Sequence, residues 1–309
     1  MERREREALR EIARRHGVAA EAVRPAPCQG AASSVWWLGD ELVLKVAAPG
    51  EGFAADLRKE ALVIPFAVRS GVRTPESLDS GELAGLDGPR PWLLLRRAPG
   101  RPADGGEPGD RGLLELGREL AVLHSAAVPA EVRGGLPVDT PGDPRPAIRA
   151  LAVRGQLSPT LGDWLCGWLD RLADERPSDA GTTLIHGDIA AGNLLLADDG
   201  SLTALLDWGD AAWSDPAVEF AKVPPRRLPP VLTGYLGDRA AVAERGRGWM
   251  ARVLWHQLSW AVLRLPGEPD PVARHWSAQP ANRLLELLRV YAEGLPEPWA
   301  GWMRSQRLP

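Results

Sequence analysis

The spacing of apolar positions along the chain changes several times, and each change predicts an element. Residues 2–15 read as a charged amphipathic helix stopped by Gly17. Two short apolar runs follow, Ser34 to Leu38 and Leu42 to Val46; the Gly39-Asp40 turn between them predicts a β-hairpin. From about Ala55 to Val68 the period is helical again. That segment carries Glu60, and Pro65 predicts a kink or restart, because a proline ring removes a helix hydrogen bond. Trp92 to Leu95, preceded by Pro91, reads as another short strand. The pattern then breaks at Ala98-Pro99-Gly100-Arg101-Pro102 and Gly105-Gly106-Glu107-Pro108-Gly109. A boundary is expected there, with a β-rich lobe over 1–97 and a larger, mostly helical lobe over 98–309.

In the second part Leu113, Leu116, Leu120 and Leu123 share one face of a helix ending near His124. A Pro/Gly-rich loop spans roughly 128–147. A helix then begins at Thr160, with Asp163 in capping-box-like spacing and Leu161, Leu165, Trp168, Leu169 and Leu172 on one stripe. Short strands are expected at 183–185, 194–196 and 202–206, the last two joined through Asp198-Asp199-Gly200. Residues 247–264 and 281–293 read as buried helices, the second stopped by Gly294. The fold class this predicts is α+β and bilobal.

Composition narrows the function classes. The formal charge of −4 argues against a dedicated nucleic-acid binder, which would carry a basic excess. Two cysteines, Cys28 and Cys166, argue against a disulfide framework or a cysteine-built zinc site. The charged N-terminus lacks the apolar core of a signal peptide, and no run reaches the ~18 apolar residues of a membrane span. A soluble cytoplasmic protein with no membrane partner is expected. Rarity adds a pointer: 34 arginines stand against three lysines (Lys45, Lys59, Lys222), and the only asparagines are Asn193 and Asn282.

The segment Leu184-Ile185-His186-Gly187-Asp188-Ile189-Ala190-Ala191-Gly192-Asn193 carries the most chemistry, followed by Leu205-Leu206-Asp207-Trp208-Gly209-Asp210. A strand delivers His186 and Asp188 into a loop, and the next hairpin returns the chain so that Asp207 approaches Asn193. A carboxylate and an amide oxygen converging in this way suit Mg²⁺, which prefers oxygen ligands and keeps phosphates and water in its shell. Asp188 is left to orient and deprotonate a hydroxyl. The spacing is that of a kinase catalytic loop, His-x-Asp-x-x-x-x-Asn, followed by an Asp-x-Gly metal site.

In these motifs the chain resembles the aminoglycoside phosphotransferase and choline-kinase-like branch of the protein-kinase-like superfamily. That branch commonly reads His-Gly-Asp in the loop and has a Gly-Asp-Pro-like turn after the metal motif, here Ser214-Asp215-Pro216. The resemblance implies a protein-kinase-like fold, ATP or GTP with Mg²⁺ as cofactors, and a small-molecule hydroxyl acceptor. It implies that Lys45, alone among apolar residues in its strand, binds the α- and β-phosphates and pairs with Glu60, fifteen residues on. It implies a phosphate-covering loop at Gln29-Gly30-Ala31-Ala32-Ser33-Ser34, with Ser33 and Ser34 as donors, although this is not Gly-x-Gly-x-x-Gly. Trp92 to Arg97 takes the hinge position. Among acceptors, aminoglycosides or related antibiotics lead, with macrolides, homoserine, choline and sugars open.

Several residues have a plainer reading. His186 reads as a structural holder of its loop. Asp215 reads as a helix N-cap ahead of Pro216. Asp210 and Glu219 stand between solvated surface and acceptor site. Tryptophans 249, 255, 260, 276, 299 and 302 read as core, and Arg252 and His256 as structural. The short Asp207-to-Asp215 interval leaves no room for a long activation segment, which disfavours a protein kinase. Two rivals remain: a metal-dependent hydrolase built on His186, Asp188 and Asp207, and a non-catalytic nucleotide-binding pseudokinase.

Overall fold

The computed structural model describes residues 3–27, 29–30, 32–85, 88–103, 108–176, 181–269, 279–295 and 299–300. Ala31, Cys28, His275, Trp276, Trp302 and the Gly105–Glu107 breakers fall outside them. In chain order the elements are α1 (Arg3–Arg15), β1 (Val23–Pro25), β2 (Ser33–Leu38), β3 (Leu42–Ala47), α2 (Glu51–Arg69), β4 (Ser77–Gly85), β5 (Gly88–Arg96) and β6 (Arg101–Pro102). They continue with α3 (Asp110–Ser125), α4 (Ala130–Gly134), α5 (Arg145–Val153), α6 (Pro159–Glu175), β7 (Thr183–Ile185), β8 (Leu194–Leu196) and β9 (Leu202–Leu205). The last are β10 (Ala212–Ser214), α7 (Leu228–Leu236), α8 (Arg239–Arg264) and α9 (Asn282–Glu293). Among the described residues no helix is long and apolar enough to cross a membrane.

Contacts gather the chain into two compact units, and the division is not a single cut. The first comprises Met1–Glu107, Ser125–Pro137 and His186–Ala212; the second comprises Pro108–His124, Val138–Ile185 and Trp213–Pro309. The segment from His186 to Ala212 thus packs with the N-terminal sheet rather than with the helices that flank it in sequence.

The first unit is built on an antiparallel sheet ordered β1-β2-β3-β5-β4. Gly39, at φ +64°, makes the tight turn between β2 and β3. Alternation along β3 then sorts its side chains: Leu44 and Val46 pack with Leu9, Ile12 and Ala13 of α1 and with Leu94. Lys45, one position out of phase, faces the other way, where α2 lies. Helix α2 continues through Pro65 rather than restarting there. Val63, Ile64, Phe66 and Ala67 are buried around the proline, and their packing outweighs the one lost hydrogen bond. β4 and β1 were not evident in the sequence. β4 reads Ser-Leu-Asp-Ser-Gly-Glu-Leu-Ala-Gly, a polar, glycine-containing edge strand with little apolar alternation. β5 tolerates Pro89 and Pro91 because its pairing with β3 begins only at Trp92.

The second unit is helical, with β7 and β10 as a small two-stranded sheet. Leu113, Leu116, Leu120 and Leu123 of α3 are buried, as their spacing predicts. Two expected helix starts need correction. α6 begins at Pro159, not Thr160, because Ser158 is the N-cap: its side chain accepts from the Leu161 N–H at 3.2 Å. α8 begins at Arg239 rather than 247, capped by Asp238. The Pro-containing stretches around 130, 145 and 228 hold α4, α5 and α7: Pro129 stands just ahead of α4, and the prolines at the starts of α5 and α7 lie in a first helical turn, where they cost no hydrogen bond. Trp255 and Trp299 are buried. Trp249 packs edge-on against Tyr235, so these rings belong to the core.

Candidate active site

Sheet and helix converge on one ammonium. Lys45 Nζ donates to both oxygens of Glu60, at 2.5 and 2.7 Å, and to Asp207 Oδ1 at 3.3 Å. Glu60 is buried, whereas the Asp207 side chain is 47% exposed. One cation therefore serves two carboxylates. Burial pushes Glu60 up to about 7 against the pull of Lys45, and the nearby Asp207 adds to the rise. Burial alone would lower Lys45, but Glu60 and Asp207 more than offset it and hold the ammonium above its ordinary range. Burial likewise opposes ionisation of Asp207, yet attraction to Lys45 wins and keeps that carboxyl below its ordinary value.

The loop after β7 is organised by His186. This ring is fully buried, with Nδ1 accepting from the Asp188 backbone N–H at 3.2 Å and Nε2 donating to the Leu206 carbonyl at 3.0 Å. It lies 4.5 Å from the Trp208 ring. Both ring nitrogens are engaged in holding the loop, which removes the histidine ligand that a hydrolase reading requires. Asn193 Nδ2 donates to Asp188 Oδ2 at 2.8 Å and to the Asp188 carbonyl at 3.0 Å. The Leu206 N–H donates to the Asn193 carbonyl at 2.8 Å, tying the loop to the residue before Asp207. Asp207 itself has φ +68°, a left-handed conformation that Asp tolerates better than most residues. Gly187 is at φ +82°, and a Cβ there would overlap the Asp210 carbonyl, so the loop requires glycine at that position.

A cavity of about 180 Å³ opens among these groups, lined by Ser33, Phe53, Asp56, Glu60, Asp188, Asp207 and Asp210, with Ala32, Leu57 and Gly209. Asn193 does not line it but donates to Asp188, which does. The donor set is compatible with Mg²⁺: the Asn193 amide N–H is spent on Asp188, so its amide oxygen could serve a hard cation, and Asp207 carries a half-exposed carboxylate. Among the described residues no group of three or more His, Cys, Asp and Glu side chains is gathered to hold a metal.

Two expected site residues lie elsewhere. Ser34 alternates away from Ser33 on β2; its Oγ accepts from Trp36 Nε1 at 3.4 Å, and it does not line the cavity. Glu219, expected at the surface or the acceptor site, is buried in the second unit with Oε2 3.4 Å from His124 Nε2. Asp215 caps the helical turn from Pro216 to Lys222 by accepting from the Ala217 N–H at 2.7 Å. Its carboxylate also binds Arg252 at 2.7 Å and His256 at 3.0 Å.

Sequence reasoning missed three groups. Phe53 and Asp56 lie on the first turns of α2, where nothing in their own pattern marks them out. Lys59 Nζ donates to the Gly209 carbonyl, and the scarcity of lysine was the signal that could have found it. Trp208 is anchored as well, its Nε1 donating to Thr74 Oγ1 at 3.0 Å.

An N-terminal antiparallel sheet, a helical C-terminal part, and an ammonium–carboxylate cluster beside a His-Gly-Asp loop define the kinase-like phosphotransferases as a class. The family model of the phosphotransferase enzyme family, APH, matches residues 23–252. The chain belongs to that family. Among solved structures it is similar to the GDP complex of wild-type aminoglycoside 2'-phosphotransferase-IIIa, with a TM-score of 0.62 and 20% identity. That likeness covers 94% of this chain and 99% of the other. It is also similar to the apoenzyme of macrolide 2'-phosphotransferase MphH from Brachybacterium faecium, with a TM-score of 0.55 and 20% identity over 91% and 96% of the two chains. At such identities the likeness speaks for the fold. A curated relative, the uncharacterized protein YcbJ of Bacillus subtilis (strain 168), is 32% identical over 117 residues. The match spans 37% of the length of each of these two chains.

Proposed function

We propose that the protein is a small-molecule kinase that transfers the γ-phosphoryl group of ATP or GTP to a substrate hydroxyl in the cytoplasm. The observation that carries this reading is the Lys45 ammonium bridging Glu60 and Asp207 at the cavity that Asp188 lines. Lys45, oriented by Glu60, holds the α- and β-phosphate oxygens, and Ser33 donates to the phosphates from the first residue of β2. Asn193 and Asp207 would hold Mg²⁺, which would neutralise charge on the phosphates. Asp188, its carboxylate fixed by the Asn193 amide, aligns the acceptor hydroxyl and accepts its proton as the oxygen attacks the γ-phosphorus. Phosphoryl transfer of this kind runs through a loose transition state, so positioning and electrostatics supply most of the acceleration.

For the acceptor, the cavity favours a polycation. Asp56, Glu60, Asp188, Asp207 and Asp210 line it against Lys45 and the nearby Lys59, an acidic excess that attracts amino groups. An aminoglycoside or related antibiotic fits that charge best and would make the protein a resistance enzyme. A macrolide, the substrate named for MphH, is the second acceptor to screen. The test is a coupled nucleotide-consumption screen, with ATP and with GTP, over aminoglycosides, macrolides, sugars and amino alcohols. An acceptor that gains the mass of one phosphate supports the reading. Bound zinc with nucleotide-independent hydrolysis would overturn it.

A further inference from the structure

We propose that Lys59 is a positioning residue for the turn that carries Asp207, acting through the Gly209 carbonyl. Its kinetic consequence rests on the phosphotransfer proposed above; its structural consequence does not. Lys59 and Glu60 are consecutive on α2, so their side chains leave the helix about 100° apart. Glu60 reaches Lys45 on β3, while Lys59 Nζ donates to the carbonyl of Gly209, two residues past Asp207. One turn of α2 therefore fixes the two ends of the cluster: the ammonium that Asp207 pairs with, and the backbone from which Asp207 projects.

That backbone needs fixing. Asp207 holds φ +68° without being glycine, a conformation that still costs free energy for a residue with a Cβ and that the surrounding contacts offset. The turn is pinned at Trp208 by Thr74, and the Ala211 N–H donates to the Trp208 carbonyl at 3.0 Å. Lys59 supplies the pin at the next residue. The ammonium is itself held by Asp56, three residues earlier on the same helix, at 3.5 Å, and its side chain is only 15% exposed. Gly209 packs so closely on α2 that a Cβ there would lie 3.2 Å from the Asp56 Cβ. A single carbonyl oxygen suits a compact ammonium better than a planar guanidinium fork. In a chain with 34 arginines and three lysines, two of the lysines bond to residues that line this cavity, Lys45 to Glu60 and Lys59 to Gly209.

The primary measurement is amide hydrogen exchange over residues 207–211 in the nucleotide-free, metal-free protein, comparing wild type with Lys59→Met and Lys59→Arg. Exchange there should quicken about tenfold in Lys59→Met and less in Lys59→Arg, with the rest of the first unit unchanged; a tenfold change corresponds to the loss of one charge-assisted hydrogen bond. Lys59→Gln, which keeps a neutral donor, replaces Lys59→Met if the latter melts early. With the acceptor found by the screen, Lys59→Met should lower kcat roughly tenfold and raise the Mg²⁺ concentration for half-maximal rate, leaving the nucleotide KM within about twofold. Unchanged exchange in both variants would overturn the proposal. A raised nucleotide KM with unchanged kcat would also overturn it, assigning Lys59 to the ligand instead. Absence of phosphotransfer in wild type would defeat the proposed function alone, since the exchange measurement still decides the role of Lys59.

Discussion

Glu60 in the first unit and Asp215 in the second are both carboxylates set against cations away from bulk water, yet they are driven to opposite ends of the carboxyl range. Burial carries Glu60 up to about 7, while Asp215 is held down at about 2, because His256, Arg252 and the Ala217 N–H together outweigh its burial. The difference lies in the count of partners. Asp215 has a guanidinium, an imidazole and a backbone donor to itself. Glu60 shares one ammonium with a second carboxylate, Asp207. A carboxylate whose cations are fully committed closes a structure. A cluster with more acid than base beside an open cavity is equipped to act on something else, and that asymmetry separates the site from the scaffold better than burial or charge alone.

The sharpest way to break this comparison is Asp188→Ala. On the acceptor identified by the screen, turnover should fall roughly 10²–10⁴-fold while nucleotide binding persists, as expected on losing a general base. Wild-type turnover in that variant would remove Asp188 from the chemistry. On the scaffold side, Asp215→Ala leaves Arg252 and His256 facing each other without their anion. Unfolding in denaturant should show a loss of about 3–5 kcal/mol, the usual effect of stranding one partner of a buried pair. Any activity lost should return where the variant is folded, whereas Asp188→Ala should stay inactive although folded.

The two carboxylates should also give opposite responses to pH. Asp215 titrates near 2 when folded, below its ordinary 3.8, so the folded state binds fewer protons in that window. Its stabilisation is complete above pH 4 or so and drains away as pH falls through about 2. Glu60 titrates near 7 when folded, above its ordinary 4.5, so the folded state binds more protons between those values. Its contribution to stability therefore declines as pH rises from about 4.5 to 7. Urea unfolding across pH should show Asp215→Asn losing the acid limb and Glu60→Gln flattening the limb between 4.5 and 7. The smallest effect separates two neighbours on β2: Ser33→Ala should raise the nucleotide KM a few-fold, and Ser34→Ala should leave it unchanged.

Much of this was legible in the chain. Strong amphipathic periods gave α1, α3 and the body of α6, and the Gly39-Asp40 turn gave the β2–β3 hairpin. Asp188, Asn193 and Asp207 were singled out by spacing, because chemistry at a loop demands particular residues at particular offsets, and Lys45 by the family resemblance and its place alone among apolar strand residues. What escaped notice was set by tertiary context. β4 is polar because one of its edges is unpaired, and α4, α5 and α7 hide behind prolines that stand in or just ahead of a first helical turn. Ser33 and Ser34 differ only in strand phase, which two adjacent serines cannot reveal. Glu219 reads as either a surface acid or an acceptor-site residue, and it is buried beside His124, a partner distant in sequence. Lys59 left only the trace of its rarity.

The central claim is that Lys45, Asp188, Asn193 and Asp207 form one phosphotransfer centre, and a crystal structure with a non-hydrolysable nucleoside triphosphate and Mg²⁺ tests it most directly. The account predicts α- and β-phosphate oxygens within hydrogen-bond reach of Lys45 Nζ, the metal on Asp207 and the Asn193 amide oxygen, and the γ-phosphate facing Asp188. A nucleotide bound with its phosphates remote from Lys45, or a metal held without Asp207, would contradict it.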